Sequence, residues 1–271
     1  MKFGMSTLGC PGWTLERVAE AAREYGYQGV ELRILDDEII TPAVVRQNKD
    51  RIRALFGDGR LDLIALGTSI RVSVAGDDER AANERDLREF VDLASDLRVP
   101  LIRVFGGRFP AGEDEAAAVA RAAETLEHYG AIAEPAGVVI ALETHDDFSR
   151  SATVAATLSR VPRHSVGALW DTHHPYRMGE DVAAVWRNLA DRLVHVHIKD
   201  ARRRADGQWD LVLLGQGEVP CREIIRALAL RGYSGYVVAE WEKKWHPEIA
   251  DPEIALPQHI AVLREWTADV L

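Results

Sequence analysis

The sequence predicts a single (β/α)8 barrel spanning residues 1–271, on three observations. Apolar strand-like runs alternate with helix-like segments eight times over, which is the pattern a barrel of about 250 residues requires. No linker, low-complexity tract or shift in composition divides the chain, so its length reads as one large core rather than two ordinary domains. A charged residue also falls near the end of strand after strand, where barrels of this type gather their active groups. An open, doubly wound sheet shares the alternation and is the competing architecture.

The first strand covers residues 2–6 and gives way to a helix capped by Thr14 and running to Tyr25. Residues 26–33 read as a tight turn and a second strand, with Val30 and Leu32 on one face and Glu31 and Arg33 on the other. Thr41 and Pro42 open a helix reaching about Leu55, since a proline in the first turn gives up an N–H that has no helical partner anyway. The third strand covers residues 61–67, and a loop rich in Gly and Asp leads to a helix over 78–97. Residues 100–107 form the fourth strand, ending on a glycine pair. An Ala-rich helix over 113–134 follows, closed by Pro135 and Gly137. The fifth strand spans 138–145 with its helix at 151–160, and the sixth spans 165–175 with its helix at 180–189. Residues 193–200 are the seventh strand, 202–208 a polar loop, and Pro220 begins a helix to Leu230 at its first-turn position. Residues 236–242 are the eighth strand, and 252–271 supply the closing helix.

Composition narrows the partners. The 43 acidic against 33 basic residues give a net charge of −10, which repels phosphate backbones and argues against a nucleic-acid partner. No apolar run approaches the ~20 residues of a membrane span, and the start lacks the apolar core of a leader, so a cytoplasmic protein without a membrane partner is expected. Cys10 and Cys221 are too few and too distant for a disulfide framework or a thiolate metal site.

The charges carry the chemistry. On the seventh strand Val194, Val196 and Ile198 share one face, and His195, His197 and Lys199 share the other. Burying such ionisable groups unpaired costs on the order of several kcal/mol, so something must receive them. The same parity sets Glu143 opposite Val138, Ile140 and Leu142, and Glu240 opposite Val237, Ala239 and Trp241. Glu143, Asp171, His197 and Glu240 fall on four successive strands, so closing the barrel brings three carboxylates and one imidazole into one ring. Like charges at short range repel strongly in a partly dry site, and a divalent cation cancels them. One nitrogen and three oxygens suit Mn2+, Co2+ or Mg2+, and Zn2+ also accepts these ligand types. His195, two residues deeper, reads as an interior histidine.

Other residues admit two readings. Arg103 and His145 point inward and either bind hydroxyls or a carboxylate of a ligand, or pair with the ring. Trp13 either stacks on a sugar face or packs as a lid. The run Arg202 to Arg204 either holds a phosphate or is a solvated loop. Residues 215–220 lack the strand and helix setting of a dinucleotide fingerprint and read as a turn.

The strings Gly29-Val-Glu-Leu-Arg33, Ala141-Leu-Glu-Thr-His145, Trp170-Asp-Thr-His-His174, His195-Val-His-Ile-Lys-Asp200 and Val238-Ala-Glu240 resemble the xylose isomerase-like TIM-barrel superfamily of sugar isomerases and epimerases. The ketose 3-epimerase, hydroxypyruvate isomerase and inosose dehydratase branches are the most similar, over nearly the whole chain. This resemblance implies that Glu143, Asp171, His197 and Glu240 hold one divalent ion, Mn2+ first. It implies that Glu143 and Glu240 exchange protons with the substrate, and that His174 and Arg203 bind it. Lys199 sits in a His-x-Lys-Asp setting nearer the inosose dehydratase style, which makes it a further substrate-binding candidate. The implied function is a metal-dependent isomerase or epimerase of a small sugar or polyol, with a lyase that dehydrates a keto-polyol or oxidised sugar as the alternative. Behind these stand an endonuclease-like hydrolase, disfavoured by the acidic balance, and a non-catalytic sugar-binding subunit. Assembly into a homo-oligomer is left open.

Overall fold

Strand β1 (Lys2–Ser6) is followed by α1 (Leu15–Tyr25), whose first turn is closed by the Thr14 hydroxyl accepting from Arg17 N and whose last turn ends on Gly26 at φ 84°. The computed structural model describes residues 1–268. Strand β2 (Gly29–Leu32) leads into a small hairpin, β3 (Ile34–Leu35) with β4 (Glu38–Ile39), which the sequence did not announce. The helix expected from Thr41 to about Leu55 is two helices, α2 (Pro42–Gln47) and α3 (Lys49–Phe56). Asn48 parts them because its side-chain amide donates to Val44 O at 2.9 Å and competes with the next helical turn.

Strand β5 (Asp62–Arg71) outruns its expected end, and α4 (Asp77–Leu97) follows. Then come β6 (Leu101–Phe105), α5 (Glu115–Ala133), β7 (Val139–Glu143), α6 (Ser151–Leu158) and β8 (Val166–Asp171). The sixth strand is shorter than expected, because residues 173–177 turn into α7 (His173–Arg177) before α8 (Val182–Leu189). After β9 (Leu193–Ile198) the expected polar loop is a hairpin, β10 (Asp200–Arg203) paired antiparallel with β11 (Trp209–Val212). Its turn closes at Asp206 and Gly207, the latter at φ 84°. Pro220 is the N-cap of α9 (Cys221–Leu230) rather than its first helical residue. Strand β12 (Tyr236–Ala239) and α10 (Pro252–Ala268) complete the chain, and the end expected for that helix, at 269–271, lies outside the described residues.

Eight of these strands close into a parallel barrel in the order β1, β2, β5, β6, β7, β8, β9, β12 and back to β1. The protein is therefore a (β/α)8 TIM barrel. Ala65, Leu101, Ala141 and Leu169 fill the interior, while Val30, Ile102, Ile140, Leu142, Val196, Ile198 and Val237 face the other way into the apolar layer shared with the helices. Alternation does the rest. Each strand that buries an apolar residue outward turns its next residue into the barrel, and at the C-terminal ends those inward residues are charged. Among the described residues no helix is long and apolar enough to cross a membrane.

Candidate metal centre

Register brings the ring together. Asp171 of β8 lies beside His197 of β9, and Val238 of β12 lies beside the same histidine, so that Glu240 follows one pleat further on. Glu143, Asp171, His197 and Glu240 each offer a ligand atom, and all four atoms lie within 4.8 Å of one another. The His197 Nδ1 atom stands 3.0 Å from Glu143 Oε1 and 3.2 Å from Glu240 Oε1. All four side chains are buried.

A further layer orients them. His197 Nε2–H donates to Glu31 Oε2 at 2.9 Å, and His195 Nε2–H donates to the same oxygen at 3.0 Å. The carboxylate acceptor ties Nε2 of each imidazole, which leaves His197 Nδ1 facing the ring. Burial would raise the Glu31 carboxyl, but the His197 and His195 imidazoles hold it well below the usual range. Asp171 Oδ1 accepts the backbone N–H groups of His173 and His174 at 2.8 and 3.1 Å, where the chain turns into α7. Lys199 reaches in from β9's end, its Nζ 2.8 Å from Asp171 Oδ2 and 2.6 Å from Glu240 Oε2, with Glu242 a third partner.

These charges set the protonation states. Burial and the charges of Glu240 and Glu143 push the Asp171 carboxyl up to about 6, against the pull of Lys199. Glu240 is the opposite case, since burial would raise it but Lys199 and His197 hold it well below the carboxylate range. Burial would lower His197, yet Glu31, Glu240 and Glu143 around it raise it well above its ordinary value. Burial, reinforced by Lys199, pushes His174 well below 6.5, so this imidazole is neutral.

Above the ring opens a cavity of 360 Å³, lined by Arg33, Arg103, Phe105, His145, Glu242 and Trp245 together with Glu143 and Glu240. His145 packs against the Phe105 and His174 rings at 4.6 and 4.4 Å, with Nδ1 3.1 Å from Asp146 Oδ1. A larger cavity of 410 Å³ lies between the ends of β5 and β6 and contains none of the ring residues.

Of the residues singled out from sequence, Glu143, Asp171, His197 and Glu240 converge, and Lys199, His174, His145 and Arg103 adjoin them. Trp13 and Arg203 do not. The Trp13 indole donates to Glu253 Oε1 at 3.1 Å with the Arg17 guanidinium 5.1 Å above it, and it packs against the core. Arg203 is exposed on β10, its backbone N–H bound to Glu218 Oε1 at 3.0 Å. Sequence reading passed over Glu31, Arg33, Glu242 and Trp245 as site residues. The strand parity of Glu31 and Arg33 was a usable signal. Glu242, two residues past Glu240 at the end of the expected eighth strand, carried the same signal, whereas Trp245 gave none because it arrives through the fold of the segment after β12.

A closed (β/α)8 barrel with three carboxylates and one imidazole gathered at the C-terminal ends of its strands has the donor set of a hard divalent cation site. The chain belongs to the xylose isomerase-like TIM barrel family, whose model matches residues 19–266. It is 24% identical over 250 residues to fructoselysine 3-epimerase of Shigella flexneri, covering 89% of this chain and 90% of that one. It is 29% identical over 161 residues to inosose dehydratase of Bacillus licheniformis, covering 52% of this chain and 50% of the relative. Its fold matches the zinc-bound structure of the IolI protein with a TM-score of 0.83 at 19% identity, covering 100% of this chain and 98% of that one.

Proposed function

We propose that the protein is a divalent-metal-dependent isomerase or epimerase of a small sugar or polyol, with Glu143 and Glu240 as the proton-exchanging pair. The convergence of four buried ligand atoms from four strands carries this reading. The residues fit an ion. Glu143 Oε2 is buried without a hydrogen-bond donor among the described residues, and His197 has one nitrogen tied to Glu31 while the other faces two carboxylate oxygens. Three oxygens and one nitrogen favour Mn2+, with Co2+, Mg2+ and Zn2+ as the other candidates.

A bound ion supplies Lewis acidity toward a carbonyl or adjacent hydroxyl and cancels the repulsion among the carboxylates. The chain's own residues do the remaining work. One of the two glutamates takes the C–H proton beside the carbonyl, and the other returns a proton, to the opposite face for an epimerase or the adjacent carbon for an isomerase. Lys199 keeps Glu240 ionised, which leaves its carboxylate in the form that can accept a proton. Neutral His174, with neither ring nitrogen hydrogen-bonded among the described residues, is free to bind a substrate hydroxyl. Phe105 and Trp245 supply the aromatic part of the cavity lining. The likeness to fructoselysine 3-epimerase supports this class of reaction, and a cytoplasmic setting accords with it.

A second reading, loss of water from a keto-polyol, is favoured by the inosose dehydratase relatives and by His145, which Asp146 supports at the cavity edge where a leaving hydroxyl needs a proton. Turnover of ketoses, inososes and 3-keto-glycosides in deuterated water separates the two. Deuterium uptake without loss of water is expected, and a product lighter by one water selects the lyase. Glu240→Gln should lower turnover by at least about 100-fold with the barrel still folded by circular dichroism. Near-normal activity in that variant would remove the glutamate pair.

A further inference from the structure

The cavity above the ring holds two buried guanidinium groups that the proton exchange does not use. Arg33 follows β2, Arg103 sits within β6, and β5 runs between those strands with Gly67 at the crossing point. A Cβ at Gly67 would stand 3.2 Å from Arg103 Nη2, with Glu31 Oε1 at 3.4 Å and Arg33 Cβ at 3.5 Å, so the missing side chain gives the Arg103 guanidinium its room. Only 7% of Arg33 and 2% of Arg103 is exposed. Arg33 is anchored by Nη1, which donates to Gly67 O at 3.1 Å and Ser69 Oγ at 2.9 Å. Arg103 lies with its guanidinium carbon 3.8 Å from the Phe105 ring centroid, which fixes its plane.

Arg103 is short of acceptors. Its Nε and Nη1 have no hydrogen-bond partner among the described residues, and Glu143 Oε2 lies 3.4 Å from Nε. Two like charges held side by side out of water are costly unless an anion answers them. Burial and the neighbouring Arg103 charge accordingly pull Arg33 down to about 10, against the pull of Glu143, Glu240 and Glu31. The carboxylates beside the pair are already engaged, Glu31 by His195 and His197 and Glu143 by His197, and neither satisfies Arg103 Nε or Nη1.

We propose that Arg33 and Arg103 form an anion subsite beside the ring, and that the substrate is a short polyhydroxy keto or hydroxy acid whose carboxylate docks there, rather than a neutral ketose. This inference rests on the metal-dependent reading of the same site. The donor fork of a guanidinium matches a planar carboxylate with two parallel bonds, a geometry that a hydroxyl cannot complete. A cavity of 360 Å³ suits a ligand of a few carbons, and the contact between Arg103 and Glu143 places the anion close to the reacting carbons.

The test uses the Mn2+-loaded protein and titration calorimetry with D-fructose, 2-keto-D-gluconate and D-fructose 1-phosphate. The first two differ only in oxidation of the first carbon. The acid is expected to bind about 100-fold more tightly than D-fructose, and Arg103→Met or Arg33→Met to bring that ratio below about tenfold. Equal affinities, or no binding of the acid, overturn the proposal, and the wild-type ratio decides this even if a variant fails to fold. Tighter binding of the phosphate than of the acid overturns the carboxylate in favour of a phosphate ester. An Arg103→Met protein that loses kcat but keeps the wild-type ratio also overturns it, because the arginine then acts on charge developing in the reaction. Elemental analysis reads the underlying function separately. A protein that takes up no ion loses both claims, whereas a loaded protein indifferent to the acid loses only the anion subsite.

Discussion

At the scale of single residues, Glu31 shows how much of the site lies behind the ring of four. Its one oxygen Oε2 receives both His195 and His197, so a single carboxylate fixes which nitrogen of His197 faces the ring. Removing its charge without changing its shape should loosen that choice. Glu31→Gln is expected to weaken Mn2+ binding by about 10- to 100-fold with secondary structure intact, read by titration calorimetry. Unchanged affinity would show that strand packing alone orients the imidazole. Glu31 could have been found from sequence, since it shares an inward face with Arg33 two residues on. Trp245 could not, because it stands outside any strand and its place on the cavity wall depends on how the chain folds back after β12.

At the scale of elements, strands were legible and the segments after them were not. Inward and outward faces follow from a two-residue period that is intrinsic to extended chain, whereas a loop takes its shape from groups far away in sequence. Asp200 is the clearest case. It reads as the last residue of a strand, yet it opens a hairpin and its carboxylate accepts the N–H groups of Ala201, Gly215, Gly217 and Val219 at 2.8 to 3.1 Å. One buried side chain thereby organises the segment leading into α9. A Cβ at Gly217 would stand 2.1 Å from Asp200 Oδ1, so glycine there is required by the close approach. Asp200→Ala leaves buried amides unpaired and should cost on the order of 3 kcal/mol in urea unfolding. Amide exchange should quicken at Gly215, Gly217 and Val219 and stay slow in β9, whereas uniform quickening would mean that the carboxylate supports the whole barrel instead.

At the scale of the whole molecule, stability is tied to histidines that the fold keeps neutral. His259 of α10 is buried edge-on against Trp241 with ring centroids 5.2 Å apart, and neither of its nitrogens has a partner among the described residues. Burial pushes it down to about 3 from an ordinary 6.5. Because the folded value lies below the unfolded one, the unfolded chain binds the extra proton between these pH values, and stability falls as pH drops through that window. At pH 5.5 the loss from this one residue is on the order of 1 kcal/mol relative to pH 7.5. His259→Leu should therefore lose less stability than wild type between pH 7.5 and 5.5, measured by denaturant unfolding at both pH values. An identical loss in the two proteins would show that His259 takes up no such proton on unfolding.

The sequence by itself determined the barrel, the inward face of each strand and the four side chains that meet on it, because strand periodicity and the order of elements are local properties that closure of the sheet merely completes. Only the tertiary structure decided what surrounds those four. That Lys199 clamps Asp171, Glu240 and Glu242, that Glu31 backs His197, and that Arg33 and Arg103 share the space over Gly67 are contacts across strands far apart in the chain. Their partners are set by distance and burial in the closed barrel, where desolvated charges must find one another, and residue order carries no direct record of that.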